Sequence, residues 1–486
     1  MLNNQTSLTL SPYIELYDAV VPKDNFLRQM KELIDFSFVE EELKEKYCLD
    51  NGRNAEPPIR MFKYLLLKQI YDLSDADLVE RARFDLSFKY FLDMTPEAPV
   101  IHSSSLTKFR RLRLFDKDLM DILVQKTVEL ALELNLLSST TLIVDATHTS
   151  SRFHSKSPAE YLQDKSKSLR KAVYRHQETI KEQFPSKPNT KNVEEEMMYT
   201  KELIRTIQRQ PTLSDIPAIK EKINVVNEVM EDIDEEKSYS SDPEARKGHK
   251  SQDYSFFGYK THLAMSDERI ITAAVVTTGE KSDANYFQEL VETSRKNGME
   301  VDTVIGDKAY SGKNNLQYSQ KNDLRLVAKL HPVISSGTRE EDDNFEFNKD
   351  ADMYACPAGH LAYRKKMEKR YSTTQNPQLK YFFDVGKCKK CSLRKGCYKE
   401  GAKTKSYSVT IKSSEHLEQE AFQNTKEFKA LSKKRYKVEA KNAELKQRHG
   451  YGRANTSGLF GMKMQGAATI FVANIKRIFK LMNEKK

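Results

Sequence analysis

The sequence predicts a mixed α/β fold: a sheet with helices on its faces, an all-helical N-terminal domain before it, and inserted segments within it. Three observations predict this. Residues 13–135 repeat apolar side chains at helical spacing. Between 140 and 330, short β-branched runs and helical stretches follow one another in the order β, insertion, β, β, α, β, α, β, the order of a mixed sheet. Helical spacing then returns to the end, after a break at 332–405 rich in turns, charge and cysteine. At 486 residues the chain is long enough for two to four domains. The boundaries read as 1–135, helical; 136–331, the first part of the α/β core, with a helical insertion at 152–250; 332–405, a cysteine-containing insertion; and 406–486, the C-terminal helices of the core.

Within the N-terminal segment, Pro57-Pro58 opens a helix whose apolar positions are Met61, Tyr64, Leu65, Leu67, Ile70 and Tyr71. Ser74 and Asp77 have the spacing of a capping box ahead of Leu78 and Ala82. A third helix starts at Ser103 and carries Lys108, Arg110, Arg111 and Arg113. Short helices ending in a basic one suggest a helix-turn-helix-like DNA-binding unit; an ordinary charged face is the plainer alternative. Thr141-Leu-Ile-Val-Asp145 reads as a strand ending in an acid. Residues 258–264 and 270–277 read as two strands around the turn 266–269, and a helix follows at 283–296. Thr303-Val-Ile-Gly-Asp307 is a second strand ending in an acid. A helix at 313–321, a strand at 324–330, a long helical stretch at 413–448 and a final amphipathic helix at 465–483 complete the order. There is no internal repeat.

Composition narrows the function. Lys and Arg number 80 against 70 acids, a net +10 with a pI near 9.0. From Leu431 to Lys486 there are 14 Lys/Arg and three acids, a net +11, which leaves the other residues together at −1. That tail also carries an apolar pattern from Ile470 to Met482, so it packs as well as carrying charge, which favours nucleic-acid contact over a solubilising tail. No apolar run approaches the ~20 residues of a membrane span. The N-terminus lacks the basic and apolar regions of a signal peptide. Five cysteines, four of them clustered, suit a reducing compartment better than a disulfide scaffold. These features together read as a cytoplasmic protein without a membrane partner.

Asp145 and Asp307 carry the chemistry of interest. An acid directly after a buried apolar strand is costly to desolvate unless something pairs with it. A divalent cation is one such partner, and open sheets present ligands at strand ends. Two cations about 4 Å apart would clamp both oxygens of an in-line phosphoryl transfer. A third acid is expected on a later helix, and Glu439 fits: Arg435 precedes it by four residues and Lys446 follows by seven, offsets that put all three on one face. A helix cap and an ion-pair ladder are the plainer readings of these acids.

In these residues the chain resembles a bacterial insertion-sequence transposase of the DDE class, with an RNase H-like catalytic core. The resemblance runs through nearly the whole chain. It includes Pro57-Pro58, Leu73-Ser74-Asp75 and Ser104–Arg110 at the N-terminus, Val144-Asp145 at the first acid, Ser241–Arg246 and Gly258-Tyr-Lys at the second strand, and Gly306-Asp307-Lys-Ala-Tyr310 at the second acid. Arg435, Glu439 and Lys446 match the family signature Tyr-x2-Arg-x3-Glu-x6-Lys. The signature's Tyr falls on Ser432, with Tyr436 and Tyr451 nearby. The closing stretch Asn474–Lys480 is also similar. The resemblance implies that Asp145, Asp307 and Glu439 bind two Mg²⁺ or Mn²⁺ ions. It implies that Arg435, Lys446 and the basic residues of helix 103–113 contact double-stranded DNA with terminal inverted repeats. Strand cleavage at the element ends and transfer into target DNA would follow, by a homodimer on paired ends in the nucleoid. An RNase H-like nuclease or resolvase without strand transfer, and a non-catalytic DNA-binding derivative, are the alternatives; the intact acids argue against the second.

Cys356, Cys388, Cys391 and Cys397 look like two metal knuckles, one a true Cys-x2-Cys, with His360 as a spare ligand. A structural Zn²⁺ on four thiols would pin an insertion too small to fold on its own core. Four reduced thiols are the alternative.

Overall fold

The computed structural model describes residues 13–48, 55–188, 192–231, 233, 239–249, 255–331, 344–368 and 376–485. Among the described residues eight α-helices come first: α1 (Ile14–Val20), α2 (Phe26–Leu33), α3 (Ser37–Leu43), α4 (Pro58–Tyr71), α5 (Asp75–Phe84), α6 (Leu86–Phe91), α7 (Ser103–Arg113) and α8 (Leu119–Glu133). Their starts are chemically marked. Asn25, Ser74, Asp85 and Asp118 accept hydrogen bonds from the first-turn N–H groups of α2, α5, α6 and α8. Pro57 and Pro58 open α4, where a missing N–H costs nothing.

The main sheet holds β1 (Thr141–Ser150), β2 (Arg246–His249), β3 (Ser255–Ser266), β4 (Ile271–Thr278), β5 (Thr303–Ile305) and β6 (Arg325–Val327). β1 pairs antiparallel with β3 from Leu142–Ser266 to Ser150–Gly258, and parallel with β5 from Thr141–Thr303 to Ile143–Ile305. β6 is parallel to β5; β4 and β2 share the far edge of β3. The antiparallel strands β1, β2, β3 and β4, followed by β5 and β6 parallel to β1, form the mixed RNase H-like sheet. Gly258 is needed where β1 and β3 approach, because a Cβ there would lie 2.1 Å from the Thr149 carbonyl oxygen.

Side chains on β1 alternate as a strand buried on both faces requires. Leu142 and Val144 join a core with α13 (Phe287–Lys296) and α14 (Lys313–Lys321). Ile143 joins the larger core on the other face, which runs from Leu27 and the N-terminal helices through α8 to the last helix. The N-terminal helices therefore share one core with the sheet. The Phe26 and Phe479 rings, from opposite ends of the chain, meet edge to face at 5.8 Å.

Two insertions leave this frame. α9 (Pro158–Tyr174), α10 (Val193–Gln208), α11 (Pro211–Ser214) and α12 (Pro217–Glu231) close on their own core of Leu162, Leu169, Leu203, Ile207 and Ile223. After β6 comes a β-rich module: the hairpin β7 (Glu346–Asn348) and β8 (Met353–Ala355), the three-stranded sheet β9 (Arg364–Glu368), β10 (Gln378–Phe383) and β11 (Lys405–Thr410), and α15 (Val385–Lys390). Tyr381, Phe383 and Tyr407 form its small core. The chain returns through α16 (Ser414–Gln423), α17 (Lys426–Ser432), α18 (Tyr436–Arg448) and the 27-residue α19 (Leu459–Lys485).

Two expectations change. The stretch 413–448 is three helices, because Thr425 turns its side chain to the N–H of Phe428 and starts a new one. The first strand runs to Ser150, since β3 keeps pairing with it after β5 has stopped, so Asp145 sits within β1 and not at its end.

Candidate active site

Register brings Asp145 and Asp307 to the same level of the sheet. Each stands two residues beyond the last parallel pair, Ile143–Ile305. Asp307 leaves β5 and caps the short 3₁₀ turn Lys308–Ser311, its Oδ1 accepting from the Ala309 N–H at 2.8 Å. Asp145 is half-buried. Burial pushes its carboxyl up to about 6; Arg435 works against this, and the charges of Asp307 and Asp283 add to it. Ionised, it is a carboxylate short of positive charge.

α18 lies against β1 beside it. Asn442 Nδ2 donates to Asp145 Oδ2 at 2.9 Å, and one turn on, Lys446 Nζ is 3.4 Å from His148 Nδ1. Arg435 reaches Glu439 at 3.2 Å, and Glu439 is exposed. Arg435, Glu439, Asn442 and Lys446 succeed one another at spacings of four, three and four residues and so line one helix face.

Several buried polar atoms around the acids lack a hydrogen-bond partner: Tyr310 Oη, Asn442 Oδ1, Arg435 Nε and Thr147 Oγ1. Tyr310 is fully buried, and burial together with Asp283, Asp145 and Asp307 raises its phenol well above the ordinary range, so it keeps its proton. Asp283, in the 3₁₀ turn Asp283–Tyr286 after β4, pairs with Lys260 at 2.9 Å and lies 3.6 Å from His262. Hard oxygen donors short of a counter-charge, with orphaned polar atoms beside them, fit a divalent cation. Among the described residues, however, no three His, Cys, Asp or Glu side chains stand together as a ready-made metal cluster. Glu439 is turned to Arg435.

A family model described as "Transposase DDE domain" matches residues 228–475, just over half of the 486-residue chain. The chain belongs to the DDE transposase family. A second model, "Transposase domain (DUF772)", matches residues 15–112 of the same transposase. No curated protein matches it. Among solved structures, the cryo-EM structure of a piggyBac transposase synaptic complex with hairpin DNA is similar at a TM-score of 0.32 and 8% identity, over 94% of this chain and 73% of that one.

The transposase places its other predicted residues variously. On α7, Arg110 is held by Asp75, and Arg113 bonds the Lys46 carbonyl over the Tyr47 ring, so both tie helices together. Lys108 and Arg111 are exposed beside Leu112 and Phe115. Of the two tyrosines near the signature, Tyr451 is fully buried, with Oη 2.7 Å from Thr261 Oγ1; Tyr436 is exposed. The thiols of Cys356, Cys391 and Cys397 all lie within electrostatic reach of Cys388, whose thiol is raised by burial first and by Cys397, Cys356 and Cys391 next. Sequence reasoning missed Asn442, Tyr310 and Asp283. Asn442 was within reach, standing on the face already defined by Arg435, Glu439 and Lys446; Tyr310 was seen only as part of a motif. Asp283 gave no local signal.

Proposed function

We propose that Asp145 and Asp307 hold the divalent cations of this DNA transposase, Mg²⁺ or Mn²⁺, and that Glu439 completes the set. Two such ions would neutralise charge on the phosphoryl group and polarise its oxygens. The chain's own residues do the rest. Asn442 fixes the Asp145 carboxylate in one orientation. Arg435 and Lys446, on the same helix face, pair with phosphate oxygens on either side of the scissile bond. Water attacks the phosphodiester at the element end and a 3′-OH leaves. That 3′-OH attacks a target phosphodiester, forming one P–O bond as another breaks, so no outside energy source is needed. Lys108 and Arg111 contact the terminal repeats, and two copies pair two ends.

The observation that carries this reading is Asp145: a half-buried carboxylate held by Asn442, level with a second acid and short of positive charge. The test is Asp307→Asn with end DNA and Mg²⁺. Cleavage should vanish while end binding survives; cleavage by the purified variant would remove Asp307 from the chemistry. Joining of a pre-cut end to a circular target separates transfer from the nuclease reading.

Zinc on Cys356, Cys388, Cys391 and Cys397 has in its favour that the other three thiols all act electrostatically on Cys388, although among the described residues the four do not stand together as a ready-made ligand set. Near one equivalent of zinc in natively purified protein would support it, and none would end it. Among the described residues no helix is long and apolar enough to cross a membrane, in keeping with a cytoplasmic site of action.

A further inference from the structure

We propose that the β-rich module between β6 and α16 is a docking surface for the phosphate backbone of target DNA. Between Leu361 and Lys412 the sequence has 15 Lys/Arg and three acids, a net +12, so the rest of the chain sums to −2. Residues 361–412 of the module thus exceed the net +10 of the whole chain in about a tenth of its length, whereas residues 332–360 before them carry two Lys/Arg and seven acids. Among the described residues, ten of these cations are exposed. β9 is exposed along its length, as are Lys387, Lys389 and Lys390 of α15. Among the described residues, acids pair with Lys365 (Asp352), Lys380 (Glu368) and Lys412 (Glu420), while the three lysines of α15 form no ion pair.

A solvated charged face would intersperse both signs. Here like charges at neighbouring positions of one short helix repel one another, a cost that phosphate neutralisation removes. Exposed Tyr363 and Met367 beside the cations add apolar contact area. Twelve of the 15 cations are lysine. Lysine meets a phosphate as a point charge and reads no base, whereas arginine forks suit guanine edges. A lysine surface therefore suits DNA of any sequence, which is what a target is, over a terminal repeat that must be recognised.

Placement agrees. The module leaves the sheet at the end of β6, whose parallel neighbour β5 ends two residues before Asp307. Its return helix α16 is anchored at the same edge, with Gln419 Nε2 donating to the carbonyls of Leu326 and Ala328 at 3.0 and 2.8 Å. DNA lying on the module would be held at the margin where the acids stand. The proposal rests on the transposase acting on DNA, not on which acids bind metal.

The test uses full-length protein, random-sequence duplex and end DNA, comparing wild type with Lys387→Gln/Lys389→Gln/Lys390→Gln. Loss of three phosphate contacts should lower the slope of log affinity for random duplex against log salt by about two to three. Transfer of pre-cut ends into limiting target should fall, with end cleavage unchanged. A second variant, Lys395→Gln/Lys399→Gln/Lys403→Gln, should act in the same direction and guards against misfolding around α15. An unchanged slope in both variants, equal loss of end and target binding, or tighter binding of duplex RNA than DNA would overturn the proposal. A wild-type protein that fails to cut ends would sink the catalytic assignment and leave the slope comparison standing.

Discussion

At the scale of single residues, the sequence exposed acids whose neighbours are local and hid groups whose neighbours are distant. Asp145 and Asp307 follow β-branched runs, so their setting could be read from the chain itself. Asp283 and Tyr310 meet them only through the fold. Asp145 yields a stability prediction. Its folded pKa of about 6 lies above the ordinary 3.8, so the stability tied to its proton is present below pH 4 and lost as pH rises through 6. In metal-free protein at pH 8 that loss is at most about 3 kcal/mol. Asp145→Asn should therefore melt a few degrees above wild type at pH 8, and the gap should close near pH 4. Adding Mg²⁺ should raise wild type and leave the variant unmoved. A variant that melts with or below wild type at pH 8 would show that Asp145 carries no such penalty. The third acid is separable in the same way. Glu439 makes an exposed pair with Arg435, which contributes under about 1 kcal/mol. Glu439→Gln should leave the melting temperature nearly unchanged and remove cleavage, while Asp283→Asn should retain measurable cleavage. The reverse result would make Asp283 the third metal ligand.

At the scale of elements, most helices and strands were legible because their apolar spacing is clean and their caps are marked. What escaped was length set by partners. β1 outlasts its expected end because β3 continues to pair with it. The helix at the C-terminus starts earlier than its apolar pattern, at Leu459, where Asp242 and Glu244 accept from the N–H groups of Gly458 and Leu459; Gly466 lets it lie against Tyr451, since a Cβ there would be 2.6 Å from Tyr451 Oη. Asn474 shows why α19 is fixed. Fully buried, it accepts from the Ile271 N–H at 2.9 Å and donates to the Ile271 carbonyl at 2.8 Å and to Thr127 Oγ1 at 2.9 Å. One amide thereby satisfies a β4 residue as a further strand would, and ties α8 to both. Asn474→Leu keeps the volume and leaves those groups unpaired in the core. It should lower unfolding stability by about 3 kcal/mol, measured by denaturant midpoint. A loss below about 1 kcal/mol would mean that water reaches β4.

At the scale of the whole molecule, the sum of charges pointed to a polyanionic partner but not to where it sits. Much of the cationic C-terminus wraps into the core as α19, whereas residues 361–412 of the cysteine-bearing module carry a net +12, with ten of their described cations exposed. Core sharing was equally invisible, because nothing local says that α4 and α18 meet. They do so at His449, whose carbonyl accepts from Gln69 Nε2 at 2.8 Å. His449 is buried, and its imidazole is pushed down to about 4, by burial first and by Lys476 next. The unfolded chain takes up a proton near pH 6.5 that the folded chain refuses until pH 4. Stability therefore falls as pH drops through that window, by about 3 kcal/mol from this group alone. Because the imidazole lies at the seam between N-terminal helices and catalytic core, acid acts where the two ends of the chain are joined. His449→Gln removes the titrating group and keeps a polar side chain. It should flatten the dependence of unfolding free energy on pH between 6.5 and 4, whatever it does to stability at pH 8. An unchanged slope would place the acid sensitivity of this transposase elsewhere and leave His449 a neutral packing residue.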